Sequence, residues 1–492
     1  VTTTSSARAA GSPAASDDHP VVDEPIADEP ISDEPIADEP IADEHGADDG
    51  IQPAIRGGLA LWALFLGYAM LMVGNGLIGA VLGVRTVDEG FGLGTSGVIM
   101  ASFFAGFLLG PVVVMPLLSS VGHIRVFSSL AVTASSAVLV HLVWVSPISW
   151  SLMRFVFGFC IAGLYLVVES WLNDASTPRT RGRTLAVYGI ATMGGLAAGQ
   201  LLVATADPTG AVLFVAAAIL VSLSFVPMAL AATTDAPQVR VVERLGLREL
   251  VATVPTGAFG MLLVGVSHGV VLGLAAVYAS GAGFSASRTA LFVAAPAIGG
   301  LVMQWPVGWL SDRFARRGVI FGVASAATGV AALLALSPAD SAAFLPLMML
   351  LGGLTFPLYA LLLSHTLDWS RPGTAIGASS TLLRINGAGA VVGPIVAGAA
   401  MAAFDASAMF WILIATHGGI TVFVAYRLVV VDGLPRERQG AFVPVPARAS
   451  ELAIRLTSRP LRASREKPGP PTSSHRDQSG SDPTGFISGR RW

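Results

Sequence analysis

Between Arg56 and Asp432 the sequence holds twelve runs of largely apolar residues. Each is near the ~20 residues that an α-helix needs to cross a bilayer. They fall at about 57–84, 92–118, 125–145, 148–172, 184–205, 209–231, 253–279, 286–310, 318–336, 342–365, 374–401 and 407–431. Hydrocarbon leaves no water for open backbone groups, so such a chain is held to an all-α bundle whose spans bond their own backbones. Gly110-Pro111 and Gly393-Pro394 interrupt two of the runs, a disruption that neighbouring spans can absorb. Composition points the same way: 53% of the residues are hydrophobic and 12% charged, against roughly 25% charged in soluble domains. A cytosolic enzyme, a nucleic-acid binder and a disordered regulator are thereby excluded.

The formal net charge of -3 hides an uneven distribution. Residues 1–50 hold fourteen Asp and Glu against Arg8 alone, which leaves 28 bases and 18 acids in residues 51–492. The acidic stretch repeats a five-residue unit, with prolines at 20, 25, 30, 35 and 40 and Asp-Glu pairs between them. Regular proline and like charge predict a disordered tail over 1–55. Residues 432–492, with eleven Arg and Lys, six acids and eight prolines, read as a basic disordered tail beside an anionic membrane surface. Neither tail reads as a folded domain. With the start of the bundle taken as inside, thirteen arginines fall at inside ends or loops, and only Arg85 and Arg288 fall outside. This bias predicts a multi-pass protein of the bacterial inner membrane with both termini cytoplasmic. The lone Cys160 can form no disulfide within the chain, and no metal or cofactor is expected.

Comparison of the chain with itself at an offset near 190 reveals a repeat. Met70-Leu-Met-Val-Gly74 matches Met261-Leu-Leu-Val-Gly265, Gly163-Leu164 matches Gly353-Leu354, and Gly182 matches Gly373. The expected organisation is two six-helix pseudo-repeats over 56–231 and 253–431, joined by a cytoplasmic linker at 232–252. Two halves of like orientation are the parallel repeat of a secondary transporter, with the substrate path between them.

The eighth span ends in Gly308-Trp-Leu-Ser311-Asp312-Arg313-Phe-Ala-Arg316-Arg317. Its counterpart in the first half, Leu118-Ser-Ser-Val121-Gly122-His-Ile-Arg125, lacks the aspartate. After the fourth span comes Glu169-Ser-Trp171-Leu-Asn173-Asp174-Ala-Ser-Thr-Pro178-Arg-Thr-Arg181-Gly182-Arg183. These segments resemble the major facilitator superfamily, and the Glu-Ser-Trp-Leu-Asn run resembles its YcaD-like branch. The resemblance covers about residues 57–431. It implies the superfamily's fold and membrane transport, without a substrate class.

On this reading Asp312 caps a neighbouring helix N-terminus or pairs with Arg316, holding the cytoplasmic side shut in one state. Glu169 is expected to partner Arg125 or an arginine of the 179–183 loop in the same gate, which also includes Arg181, Arg183, Arg313 and Arg317. A simple helix-end charge and a proton-coupling carboxylate remain open for Glu169. Arg154 and Arg384 are the ionisable residues inside spans and so the first candidates for substrate or coupling, with structural anchoring as the alternative. Arg154 lies in Arg154-Phe-Val-Phe-Gly158, similar to a fourth-span motif whose arginine is tied to proton coupling in some members of the superfamily. Asn75 and His268 occupy corresponding places of the repeat, and Tyr165, Gln200, Tyr278, Gln304 and Asn386 could supply further hydrogen bonds.

The reading is a monomeric secondary transporter, not an enzyme. It moves a small polar or amphipathic solute by alternating access, with protons as the coupling ion and efflux slightly favoured over uptake. No Walker A pattern offers an ATP-driven route. A non-transporting sensor would need a folded soluble domain, and a membrane enzyme would need clustered Asp, Glu or His at one face.

Overall fold

The twelve apolar runs become twelve helices: Leu61–Asp88, Leu93–Val121, His123–Val143, Pro147–Asp174, Arg181–Thr205, Val212–Leu230, Pro255–Gly281, Ala286–Arg313, Arg316–Leu336, Phe344–Trp369, Gly377–Ala403 and Ala408–Val430. We refer to them by order as the first to the twelfth span. The structure is a computed structural model that describes residues 51–177, 179–231, 246–370, 374–431, 433–436 and 439–443, among which there is no strand. The unit Pro53–Trp492 contains the whole bundle. A second unit, Val1–Gln52, holds the acidic repeat and lies outside the described residues except for its last two. With twelve antiparallel passes, the bundle begins and ends at one face, called here the terminal face.

Local signals set the helix ends. Ser146 accepts the Ser149 N–H at 3.2 Å ahead of Pro147, and Ser285 accepts the Arg288 N–H at 3.3 Å, so both side chains cap helix starts. Gly122, at φ 94°, makes the sharp joint between the second and third spans, a backbone conformation that an L side chain resists. The sixth span breaks at Ser224, between helices Val212–Leu223 and Phe225–Ala231. The 232–252 segment ends in a short helix, Leu247–Thr253; residues 232–245 lie outside the described residues.

Packing follows the sequence repeat. The second span packs on the fourth as the eighth does on the tenth, and the third packs on the fourth and sixth as the ninth does on the tenth and twelfth. Glycines let these helices approach backbone to backbone. A Cβ at Gly106 would stand 1.9 Å from the Phe155 carbonyl oxygen, and one at Gly299 would stand 1.8 Å from that of Met349. The halves meet through the second span against the eleventh and the fifth against the eighth, which are equivalent pairs under the repeat. These contacts gather away from the terminal face. Gly97 abuts Pro394 and Gly398, Gly83 abuts Ala276, and Leu196 and Ala197 pack with Ala294 and Ala297.

The two arginines on the wrong side of the charge bias each find a partner where they stand. Arg85 pairs with Glu89 at 2.6 Å and donates to the Thr209 carbonyl. Arg288 donates to the Ala339 carbonyl at 2.5 Å and lies over the Phe284 ring.

Candidate functional site

A cleft of about 790 Å³, counting its open mouth, lies between the second, seventh and eleventh spans. Pro111 and Pro394 are accommodated inside the two helices that flank it. Its walls are largely apolar and aromatic, from Phe104, Phe107, Leu108 and Leu272, while His268, Arg384 and Asn386 bring its polar groups. Arg384 is half-buried, nine residues into the helix that begins at Ala375, about 14 Å along its axis. Among the described residues it makes no hydrogen bond or ion pair. His268 stacks on Phe356 at 5.1 Å. Asn386 donates to the Met261 carbonyl at 3.3 Å and so also ties the eleventh span to the seventh.

Three of the residues singled out in the sequence thus share one space, and the others do not line it. Arg154 is buried in the fourth span, its guanidinium 4.7 Å from the Phe103 ring centroid and 4.0 Å from the Met100 sulfur. Tyr278 sits in an aromatic cluster with Phe284, Phe292, Phe344 and Phe410, a packing role in place of the expected hydrogen bond in the path. Asn75 and Gln200 are buried in the first and fifth spans, and Gln304 is half-buried in the eighth.

Glu169 is fully buried and accepts a hydrogen bond from the Tyr188 hydroxyl, while Arg125 and Arg183 are exposed and Arg181 is half-buried. The Tyr188 ring stacks on Tyr68 at 4.9 Å, and the Tyr68 ring meets Tyr165 edge-on at 5.7 Å. Thr192 spends its hydroxyl proton on the Tyr188 carbonyl at 2.6 Å, so Tyr68 is the donor in its 2.8 Å contact with Thr192. Tyr165 donates to the Met72 sulfur at 2.9 Å. Tyr359 of the second half, which the repeat aligns with Glu169, is likewise fully buried. Tyrosines supply such a core with hydrogen-bond donors carried on apolar bodies. The neighbouring residues of the Glu-Ser-Trp run fix the third span: His123 bonds to Ser170 at 3.0 Å, and Trp171 packs against His123 and Phe127.

At the terminal face Arg316, 1% exposed, forms an ion pair with Asp368 and bonds to Ser311 and to the carbonyls of Ser364 and Gly440. Among the described residues it does not pair with Asp312, and Asp312 caps no span. Asp312 accepts the Phe442 N–H at 2.7 Å, Asp368 accepts the Gly440 N–H at 2.8 Å, and the Phe442 ring fills the space beside Gly308. Residues 439–443, assigned by sequence to the disordered tail, therefore form a strap across the signature loop and the end of the tenth span, because Asp312 and Asp368 accept their backbone N–H groups. Residues 444–492 lie outside the described residues. Arg317 donates to the Val431 carbonyl at 3.0 Å and lies over Trp369, and exposed Arg313 lies over Trp309. Under the repeat, Asp312 and Asp368 correspond to Val121 and Thr177, so Arg125, the counterpart of Arg316, has neither acid and is exposed.

Comparison with known proteins gives one consistent result. Residues 64–388 match the family model described as Major Facilitator Superfamily. The MFS-type transporter YcaD of Escherichia fergusonii is 27% identical over 340 residues, 67% of this chain and 86% of its own. An MFS-type transporter of Enterobacter sp. strain 638 is 25% identical over 373 residues, 74% and 94% of the two chains. Among solved structures, the nucleoside transporter NupG superposes with a TM-score of 0.62 at 12% identity, covering 76% of this chain and all of its own. A bacterial homologue of the human lysosomal transporter Spinster, inward-facing and occupied, gives 0.60 at 17% identity over 77% and 96%. At these identities the two structures speak to the fold alone.

Proposed function

The chain belongs to the Major Facilitator Superfamily and is a transporter, not an enzyme, and from that premise we propose that it is a proton-coupled carrier of the bacterial inner membrane. It moves a small polar or amphipathic solute by alternating access, efflux slightly favoured over uptake, and works as a monomer with both termini cytoplasmic. The observation that carries this reading is the asymmetry between the two faces of the bundle in how the halves meet. Their glycine-to-backbone contacts lie away from the terminal face, while the cleft with Arg384, His268 and Asn386 starts at mid-depth on the terminal side of those contacts. Substrate enters that cleft when the terminal side is open, and the seal at Gly97, Gly83 and Leu196 must part in the other state.

Arg316, Arg317 and Asp312 work at the terminal gate together with Asp368. Glu169, surrounded by tyrosines at the core of the first half, carries the coupling proton, and Arg154 holds the second and fourth spans in register. The test is flux in liposomes. Purified protein should move a solute selected by thermal stabilisation from a panel of metabolites and drugs, and an imposed proton gradient should drive accumulation. A ligand that stabilises the protein but is never moved, with or without a gradient, would overturn the carrier reading.

A further inference from the structure

The charges around the cleft narrow what it can hold. A guanidinium stays ionised at any physiological pH. Arg384 carries that charge into a space between membrane-spanning helices, where a charge without a counterpart is costly. Among the described residues, no Asp or Glu lines the cleft. Three acids of the bundle have partners elsewhere: Glu169 bonds to Tyr188, Asp368 pairs with Arg316 and Asp312 accepts the Phe442 N–H. The other polar groups do not offer a negative charge: Asn386 turns its amide N–H to Met261, and His268 is stacked on Phe356. Everything else in the wall is apolar or aromatic. Along the second span the lining residues Leu108, Pro111 and Met115 are half-buried and Val112 is exposed, so the cleft opens sideways as well, between the second and eleventh spans.

One fixed cation facing an aromatic wall, with a lateral opening, selects for an anionic head on an apolar body. We infer that the cleft binds an amphipathic organic anion, its carboxylate, sulfonate or phosphate group on Arg384 and its apolar body against Phe104, Phe107 and Leu272. This rests on the reading of the cleft as the transport path and gives that path its substrate class. A free solute and a lipid headgroup share this chemistry, and the arginine's planar fork suits either, since it donates two parallel hydrogen bonds to one oxyanion.

The test uses the full-length protein in phosphatidylcholine nanodiscs and three probes with the same ring system: 1-naphthaleneacetate, 1-naphthaleneethanol and 1-naphthylmethylamine. The acetate should raise the unfolding temperature saturably, at concentrations at least tenfold lower than the alcohol or the amine requires. Arg384→Gln should weaken acetate binding at least tenfold, and Arg384→Lys, which keeps the charge but loses the fork, should retain part of it. Phe107→Ala should weaken all three probes alike. In a second arm, phosphatidylglycerol replaces a quarter of the lipid. Stabilisation by this lipid that depends on Arg384, together with weaker acetate binding, identifies a lipid headgroup as occupant; unchanged acetate binding identifies a free solute. Both results support an anion site. Equal binding of the alcohol or amine, acetate binding unchanged in both Arg384 variants, or stabilisation by neither acetate nor phosphatidylglycerol would overturn it. Flux in liposomes separates this from the carrier reading: transport of a neutral or cationic solute leaves the carrier standing and sinks the anion site.

Discussion

The guanidinium of Arg316 and the carboxylate of Asp368 form a buried ion pair that joins the start of the ninth span to the end of the tenth, with side-chain exposures of 1% and 5%. Removing one partner strands the other charge. Asp368→Asn should therefore cost about 3–5 kcal/mol, while Arg316→Met with Asp368→Leu should come much closer to wild type, because replacing both charges removes their desolvation cost as well. Thermal unfolding of the purified variants measures both. Asp368→Asn within about 0.5 kcal/mol of wild type, a change typical of featureless surface sites, would mean that the pair does not hold the two spans.

The strap at 439–443 hangs on the same cluster. Asp312 is exposed, and its bond to the Phe442 N–H is one of several that hold this segment. Asp312→Ala should lower global stability by about 1 kcal/mol or less, in line with a single partly solvated hydrogen bond. It should nevertheless speed amide exchange at Phe442 and Val443 well above that in the tenth span. Equal protection at Phe442 in wild type and variant would show that the carboxylate does not anchor the strap.

The glycine contacts permit a paired test. A methyl group at Gly106 would collide with the Phe155 carbonyl oxygen, whereas one at Gly79 meets nothing within 4 Å. Gly106→Ala should destabilise by about 1–3 kcal/mol through overpacking of the second and fourth spans. Gly79→Ala should be neutral or stabilising by up to about 1 kcal/mol, the helix-propensity difference. Two changes of identical chemistry would then differ in sign, and like effects would refute the backbone approach.

The bundle was legible in the sequence because its determinants are periodic and local. Run length, charge bias and the offset near 190 give the twelve spans and the two halves without any knowledge of side-chain contacts. Arg384, His268 and Asn386 were also within reach, since a polar residue in an apolar span has few places to go. What escaped depends on partners distant in the chain. Asp368 lies 52 residues from Arg316 and Phe442 lies 130 from Asp312, with no spacing rule to connect them. Tyr188 and Tyr68 look like ordinary apolar-face aromatics until the fold brings them around Glu169. The one available signal was the repeat, which sets Thr177 and Val121 opposite Asp368 and Asp312, so that the first half has no acid at either position.

Acid sensitivity has a defined contributor outside the spans. The Asp405 carboxyl is held below the usual carboxylate range by hydrogen bonds from the Ser407 hydroxyl and from the Ser407 N–H at 2.6 Å. A folded-state value below the unfolded one of about 3.9 means that the stabilisation is present above that pH and is lost as the pH falls through the lower folded value. Asp405→Asn should thus be less stable than wild type near neutrality, and the difference should vanish in strong acid. A difference independent of pH would remove the carboxylate's charge from the account.

Glu169 offers the sharpest separation of gating from coupling. It lies in the interior of the first half, where the Tyr188 hydroxyl donates to it. Glu169→Gln preserves shape and an acceptor for Tyr188 but cannot exchange a proton. In liposomes it should abolish accumulation driven by a proton gradient while leaving solute exchange at equilibrium within a few-fold of wild type, because binding at Arg384 and the rocking of the halves remain. Tyr188→Phe deletes the donor and leaves the carboxylate short of a partner, which should cost about 1–3 kcal/mol in unfolding free energy. Gradient-driven accumulation by Glu169→Gln at the wild-type rate would assign the proton to another group. Loss of exchange together with accumulation would instead return Glu169 to the gate.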